Sequence, residues 1–287
     1  MFLVEQLLNG LTLGSLYGLV ALGLALMLGV ARFVNLAHGE VMMIGAYLLV
    51  VLFKRGGLPY APAVVVVVLL LALTGSLVAV GARRLLRASW RTQLVATLAA
   101  AVILEAGVIT VHGAVPQVVP TRYTGSVLRL GPLALSVQRV LVFVVVAAGF
   151  TALQLFLSRS KQGKAMRAVA QHRDLALALG IDPNRVAVLT FGVAFALAGL
   201  AGALLSPLYA VYPAMGTAVT FKALAAVVMG GFGQVVGAFV AALLLGVVES
   251  LAGGMGWAAY QDALAFVMMI AVLLFRPQGF FGARVRA

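Results

Sequence analysis

The chain has no cysteine, and only 7 Asp and Glu residues stand against 20 Lys and Arg. Without cysteine there is no disulfide framework and no thiolate metal site, and the redox compartment stays open. Charged residues make up 9% of the chain and hydrophobic residues 64%, a balance that excludes an ordinary soluble domain. No G-x-x-x-x-G-K-[ST] occurs: Gly163-Lys164-Ala165 lacks both the upstream glycine and the hydroxyl, so the chain is not expected to bind nucleotide. A catalytic triad, a metal-ligand cluster and a GxGxxG fingerprint are missing too. Ser206 with His38 or His112 is an imaginable nucleophile–base pair that no spacing supports. The net charge of +13 would suit a nucleic-acid binder. The basic residues sit in short loops between apolar runs, however, so positive-inside topology explains them and no nucleic acid is expected. The opening MFLVEQLLNG has Glu5 as its only charge and no basic n-region, so the N-terminus is expected to be retained.

What is present is one apolar run after another. The length permits roughly eight spans of about 20 residues, which makes the expected fold an all-α polytopic transmembrane helical bundle. About eight to nine membrane segments are expected, one of them broken or re-entrant, in a single transmembrane domain over residues 1–287.

Ser158–Arg185 is the stretch that water would accept, with Arg159, Lys161, Lys164, Arg167, Arg173 and Arg185 against Asp174 and Asp182. Lys and Arg beside membrane segments resist translocation, so this loop reads as cytoplasmic and orients the helices around it. Within it, Gly163–His172 spaces Met166, Val169 and Ala170 on one small apolar face. Asp174 can cap a second short helix, Leu175–Leu179, which Gly180 would end at C′. Asp182-Pro183 then starts the next span. An apolar knob with a basic rim suits docking, and equally an anchor on anionic headgroups.

The first run, Leu7–Val30, repeats Gly10, Gly14 and Gly18 at i+4, a smooth face for helix packing. A polar tetrad, Asn35, His38, Gly39 and Glu40, opens the next segment. It reads either as an inward-facing site or as a helix start at the cytoplasmic interface, with Glu40 at the positive end of the dipole. Pro62–Ala82 runs into Arg83, Arg84, Arg87 and Arg91, a second cytoplasmic cluster. Gln93–Val111 contains Glu105, a carboxylate that needs a partner or a wet path. Gly113–Ser136, with Pro116, Pro120, Gly125, Gly131 and Pro132, should be extracytoplasmic although Arg122, Arg129 and Arg139 lie on that side. Spans Val140–Leu157 and Val186–Leu205 flank the basic loop. Val219–Met229 is too short to span unaided, and Gly230, Gly231, Gly233 and Gln234 interrupt the helix before Val235–Val248. Such breaks occur around transport pathways and also in tight packing turns. Ala258–Phe275 is the last span; Arg276, Arg284 and Arg286 after it place the C-terminus in the cytoplasm, with the N-terminus outside. Whether Val219–Glu249 crosses once, twice or re-enters is left open. LAHGEVMMIGAYLL and GGFGQVVGAFVAALL form a faint internal echo of the kind transporters show.

TLGSLYGLVALGLALMLG, NLAHGE, GKAMRAVAQHRDLALALGID, FKALAAVVMGGFGQVVGAFVAALLLGVVES and LLFRPQGFFG, in that order along nearly the whole chain, carry a resemblance. Together they resemble the H-type permease subunit of bacterial branched-chain amino acid importers of the ATP-binding-cassette class, within a superfamily that also serves urea, short amides and sugars. The resemblance implies a pore in the bacterial inner membrane shared with a second, M-type permease. It further implies two cytoplasmic ATPase subunits, which hold the ATP and Mg, and an extracytoplasmic substrate-binding protein. No cofactor is then expected in this chain. Gly163, Met166, Arg167, Val169, Ala170, Asp174 and Gly180 would form the coupling element to the ATPase. In such a pore Asn35, His38, Glu40, Gly230, Gly231, Gly233 and Gln234 are the places where polar groups and exposed backbone could serve the zwitterionic ends of a passing amino acid. A permease for urea or short amides, a stand-alone facilitative channel and an intramembrane enzyme are the competing readings.

Overall fold

The structure is a computed structural model and describes residues 2–130 and 133–282. Its elements are helices, apart from one short hairpin. In order they are α1 (Phe2–Leu26), α2 (His38–Lys54), α3 (Tyr60–Gly81), α4 (Arg83–Leu86), α5 (Trp90–His112), β1 (Val127–Leu130), β2 (Leu133–Ser136) and α6 (Val137–Arg159). They continue with α7 (Lys161–Gln171), α8 (Arg173–Ala178), α9 (Pro183–Leu205), α10 (Met215–Gly230), α11 (Val235–Gly254) and α12 (Gln261–Phe275). Seven helices are long and apolar enough to cross a membrane. That is fewer than the eight to nine segments expected; α2 and α10, of 17 and 16 residues, are shorter apolar helices.

The inner layer is built on close backbone approach. Gly10, Gly14 and Gly18 of α1 meet Val247, Leu243 and Phe239 of α11, so the two helices run antiparallel, and Gly246 returns the contact onto Gly14. On the other side α9 takes α3 and α2: Gly192 faces Ser76, Gly199 faces Leu71, and Gly45 faces Gly199. Here a side chain larger than hydrogen would hold the backbones apart. Helices α3, α5, α6 and α12 surround this core and keep much of their apolar surface exposed.

Contacts sort the loops into two ends. At one end the Lys54 ammonium donates to Gln117 Oε1 (3.2 Å), Gln117 pairs with Val211 through the backbone, and Gln138 Nε2 donates to Tyr60 Oη (3.0 Å). At the other, α7 packs against the last turn of α1, and the Phe280 N–H donates to Met229 O (2.7 Å). That second end carries Arg83–Arg91, the basic loop and Arg276, and the positive-inside rule predicts it to be the cytoplasmic one. The stretch whose crossings were left open is a helical pair: α10 and α11 run antiparallel, with Gly230 against Gly237. The expected outer loop Gly113–Ser136 contains the antiparallel hairpin, Val127 opposite Ser136. Gly131 and Pro132, and Arg284 and Arg286 of the expected basic tail, lie outside the described residues.

Candidate functional site

The irregular backbone at depth is not where the glycines suggested. Helix α1 ends in a π-helical turn, Met27–Ala31, closed by Arg32 at φ 52°. Residues 32–37 then turn back into the bundle. Backbone groups in a hydrocarbon setting must find protein partners. Here side chains supply them: the Val34 N–H donates to Gln93 Oε1 (3.2 Å), Leu36 N–H to Thr97 Oγ1 (3.1 Å) and Ala37 N–H to Asn35 Oδ1 (3.1 Å). Neither Gln93 nor Thr97 stood out in the sequence, although each is a polar residue on the first turns of an otherwise apolar span.

Helix α2 therefore begins inside the bundle and not at the interface. His38 is fully buried against Gly23, near the end of α1, and Ala194, midway along α9, with the Phe195 ring centroid 6.1 Å away. Glu40 is equally buried, sits in the first turn of α2 and accepts from Thr217 Oγ1 at 2.9 Å. The Gly39 N–H donates to Thr220 Oγ1 (2.8 Å), which ties the start of α2 to the start of α10. Both His38 nitrogens and Glu40 Oε2 have no hydrogen-bond partner among the described residues. Asn35, His38 and Glu40 thus form one polar interruption inside the bundle. The tetrad is a helix start that faces inward; its expected place at the cytoplasmic interface is corrected, because the hydrogen bonds to Gln93 and Thr97 draw residues 34–36 into the bundle.

Gly230, Gly231, Gly233 and Gln234 lie apart from it, at the cytoplasmic end. Gly231 and Gly233 adopt φ of 103° and 75°, and the Gln234 N–H closes the turn on Gly231 O at 3.0 Å. Gly230 abuts Gly237, Gly231 abuts Gln278 and Gly282, and Gly233 abuts Gly29. The structure does not bring these residues together with the tetrad.

In the basic loop Ser160 caps α7, accepting from the Gly163 N–H at 2.8 Å, and Asp182 caps α9 through the Asn184 N–H at 2.8 Å. That donated bond holds the Asp182 carboxyl below the ordinary carboxylate range. Asp174 lies in the first turn of α8, whose N-cap position belongs to His172, and Gly180 follows α8 at φ 85°. The apolar face of α7 is turned inward: Met166 and Val169 are buried, and Gly163 rests on the backbone of Phe156 and Leu157. As a docking knob this face is corrected, because it is spent on seating α7 against the bundle. The apolar groups facing outward are Leu175, Leu177 and Leu179, the last 74% exposed, beside Arg173. Arg167 stays on the surface and donates to Ser158 O at 3.2 Å.

An ion cluster that sequence reasoning passed over joins α1, α10, α11 and α12. Lys222 Nζ is 2.8 Å from Glu249 Oε1, 2.8 Å from Asp262 Oδ1 and 3.3 Å from Tyr17 Oη. The signal was available: Lys222 and Glu249 each stand inside an apolar run, as Glu105 does. Glu105 makes no ion pair among the described residues. The Ser206 hydroxyl donates to Ala203 O (3.1 Å), while His112 stacks on Tyr47 at 5.0 Å, so neither histidine meets Ser206. The described residues hold no group of three His, Asp or Glu that could take a metal.

The family described as branched-chain amino acid transport system / permease component matches residues 6–273. The chain is 34% identical over 293 residues to the high-affinity branched-chain amino acid transport system permease protein BraD of Pseudomonas aeruginosa, covering 97% of this chain and 95% of that one. It is 31% identical over 297 residues to the permease protein LivH of the corresponding Escherichia coli system, covering 98% and 96%. With the ribose import permease protein RbsC of Bacillus subtilis the likeness is 30% over 144 residues, 47% of this chain and 45% of that one. No solved structure matches the chain.

Proposed function

The chain belongs to the branched-chain amino acid transport permease family, and from that premise we propose that it forms half of the pore of an ATP-driven importer of branched-chain amino acids in the bacterial inner membrane. The observation that carries this reading is likeness over nearly the whole length to two branched-chain amino acid permeases, against less than half the length to a sugar permease. The partners are an M-type permease, two cytoplasmic ATPase subunits that hold ATP and Mg, and an extracytoplasmic binding protein. This chain has no part in nucleotide chemistry and needs no cofactor of its own. Asn35, His38 and Glu40, polar and buried inside the bundle, are its candidate pathway groups, and Gly230–Gln234 is the inner turn that the passing substrate meets. The coupling surface is the outward side of α7 and α8, with Arg167, Arg173 and Leu175–Leu179, seated by Gly163, Met166, Val169 and Ala170 beneath.

Reconstitution with the four partner proteins tests the reading: radiolabelled leucine should accumulate only with ATP and the binding protein present. Uptake that survives ATP depletion and loss of the partners would make the chain a stand-alone channel. Urea moving where leucine does not would place it with the amide permeases. Leu177→Glu and Leu179→Glu are expected to leave insertion intact and to cut uptake at least about tenfold by removing apolar docking area. Gly231→Val and Gly233→Val, at positive φ, should abolish uptake; assembly lost together with uptake would make that turn structural.

A further inference from the structure

Lys222 binds two carboxylates, and they sit in different settings. The Glu249 side chain is 2% exposed, whereas that of Asp262 is 75% exposed. Asp262 lies in the first turn of α12 at the extracytoplasmic end, near the exposed rings of Trp257 and Tyr260, the residue types that mark a membrane–water interface. An ionised aspartate turned outward on a membrane helix needs water, and that rim provides it. Lys222 and Glu249 already make a buried ion pair, with the ammonium also donating to Tyr17 Oη. Asp262 adds a negative charge that neutrality does not require, and an exposed partner of this kind adds little stability. The cluster is left net negative, with one carboxylate free to change partners.

We infer that Lys222 and Asp262 receive the charged end of an α-amino acid at the outer mouth. The substrate carboxylate takes the place of Asp262 on Lys222 Nζ, and the substrate ammonium pairs with the Asp262 carboxylate so released. Glu249 stays on Lys222 throughout, so the lysine is never left as a lone buried charge. No bond is made or broken and no proton moves. Urea or a sugar has no opposite charges with which to make this exchange. The inference rests on the amino acid importer reading and assigns the residues that recognise the zwitterion.

The test uses the full complex with its binding protein in proteoliposomes and follows radiolabelled leucine moved per ATP hydrolysed. Asp262→Asn should lower that ratio about tenfold and Asp262→Lys further, because one loses and the other repels the ammonium. Lys54→Ala, at the same end but outside the cluster, should keep the wild-type ratio. An unchanged ratio in both Asp262 variants overturns the inference. So does a fall in uptake matched by equal losses of ATP hydrolysis and assembly, the signature of a helix staple. A wild-type complex that moves no leucine overturns the importer reading, and this inference with it.

Discussion

Across the most apolar window of α1, 78% of residues are buried, against 11% in α5, although both windows are strongly apolar. In water, the more apolar face of a helix is the one that turns inward. In a bilayer the lipid tails are as apolar as leucine, so apolarity selects no face, and close packing between small residues decides. Helix α1 brings Gly10, Gly14, Gly18 and Gly23 against α11, α9 and His38. Helix α5 has Gly107, with nothing near it. The inner layer is thus fixed by backbone contact, while the outer layer keeps its apolar surface turned outward. An apolar cavity of about 610 Å³ between α2, α3, α5 and α9, floored by Asn35 and Thr97, belongs to that looser side.

If this contrast is right, the largest effect comes from filling the inner seam. Gly14→Leu or Gly246→Leu should cost more than about 3 kcal/mol, because backbone and not a flexible side chain must move. Folded protein should vanish from size-exclusion profiles of detergent extracts. Lys222→Met comes next, at about 3–5 kcal/mol, since it leaves Glu249 buried without its cation. Lys222→Arg should recover part of that stability in the same thermal unfolding assay. Thr97→Val leaves the Leu36 N–H at depth without its acceptor and should cost about 1–3 kcal/mol. The smallest effect belongs to the outer layer: Gly107→Leu should change stability by less than about 0.5 kcal/mol. A Gly107→Leu loss as large as that of Gly14→Leu would erase the distinction between layers. Topology has its own check. Single cysteines replacing Ser126 and Gln171 should be labelled in spheroplasts by an impermeant thiol reagent at the first position and not at the second.

Much of the arrangement is legible in order along the chain. The caps at Asp182 and Gly180 and the packing stripe of α1 follow from local rules that need only neighbours within a turn or two. The candidate site was read less completely. Glu40 and His38 announce themselves as ionisable groups in an apolar run, but their depth depends on the reversal of residues 32–37, which Gln93 and Thr97 make possible from a helix about 60 positions away. The inward turn of Met166 was equally hidden. A small apolar face on a soluble loop looks the same whether it meets its own bundle or another protein.

By itself, the sequence determined the class of the molecule, the clustering of basic charge in its loops and the absence of a nucleotide-binding loop, because these depend on composition and on charge beside apolar runs. Tertiary structure alone decided which apolar helices are inside, where the backbone breaks at depth, and that Lys222, Glu249 and Asp262 share one cluster. Those outcomes rest on contacts between residues far apart in the chain, and uniformly apolar segments carry no periodic signal from which such contacts can be read.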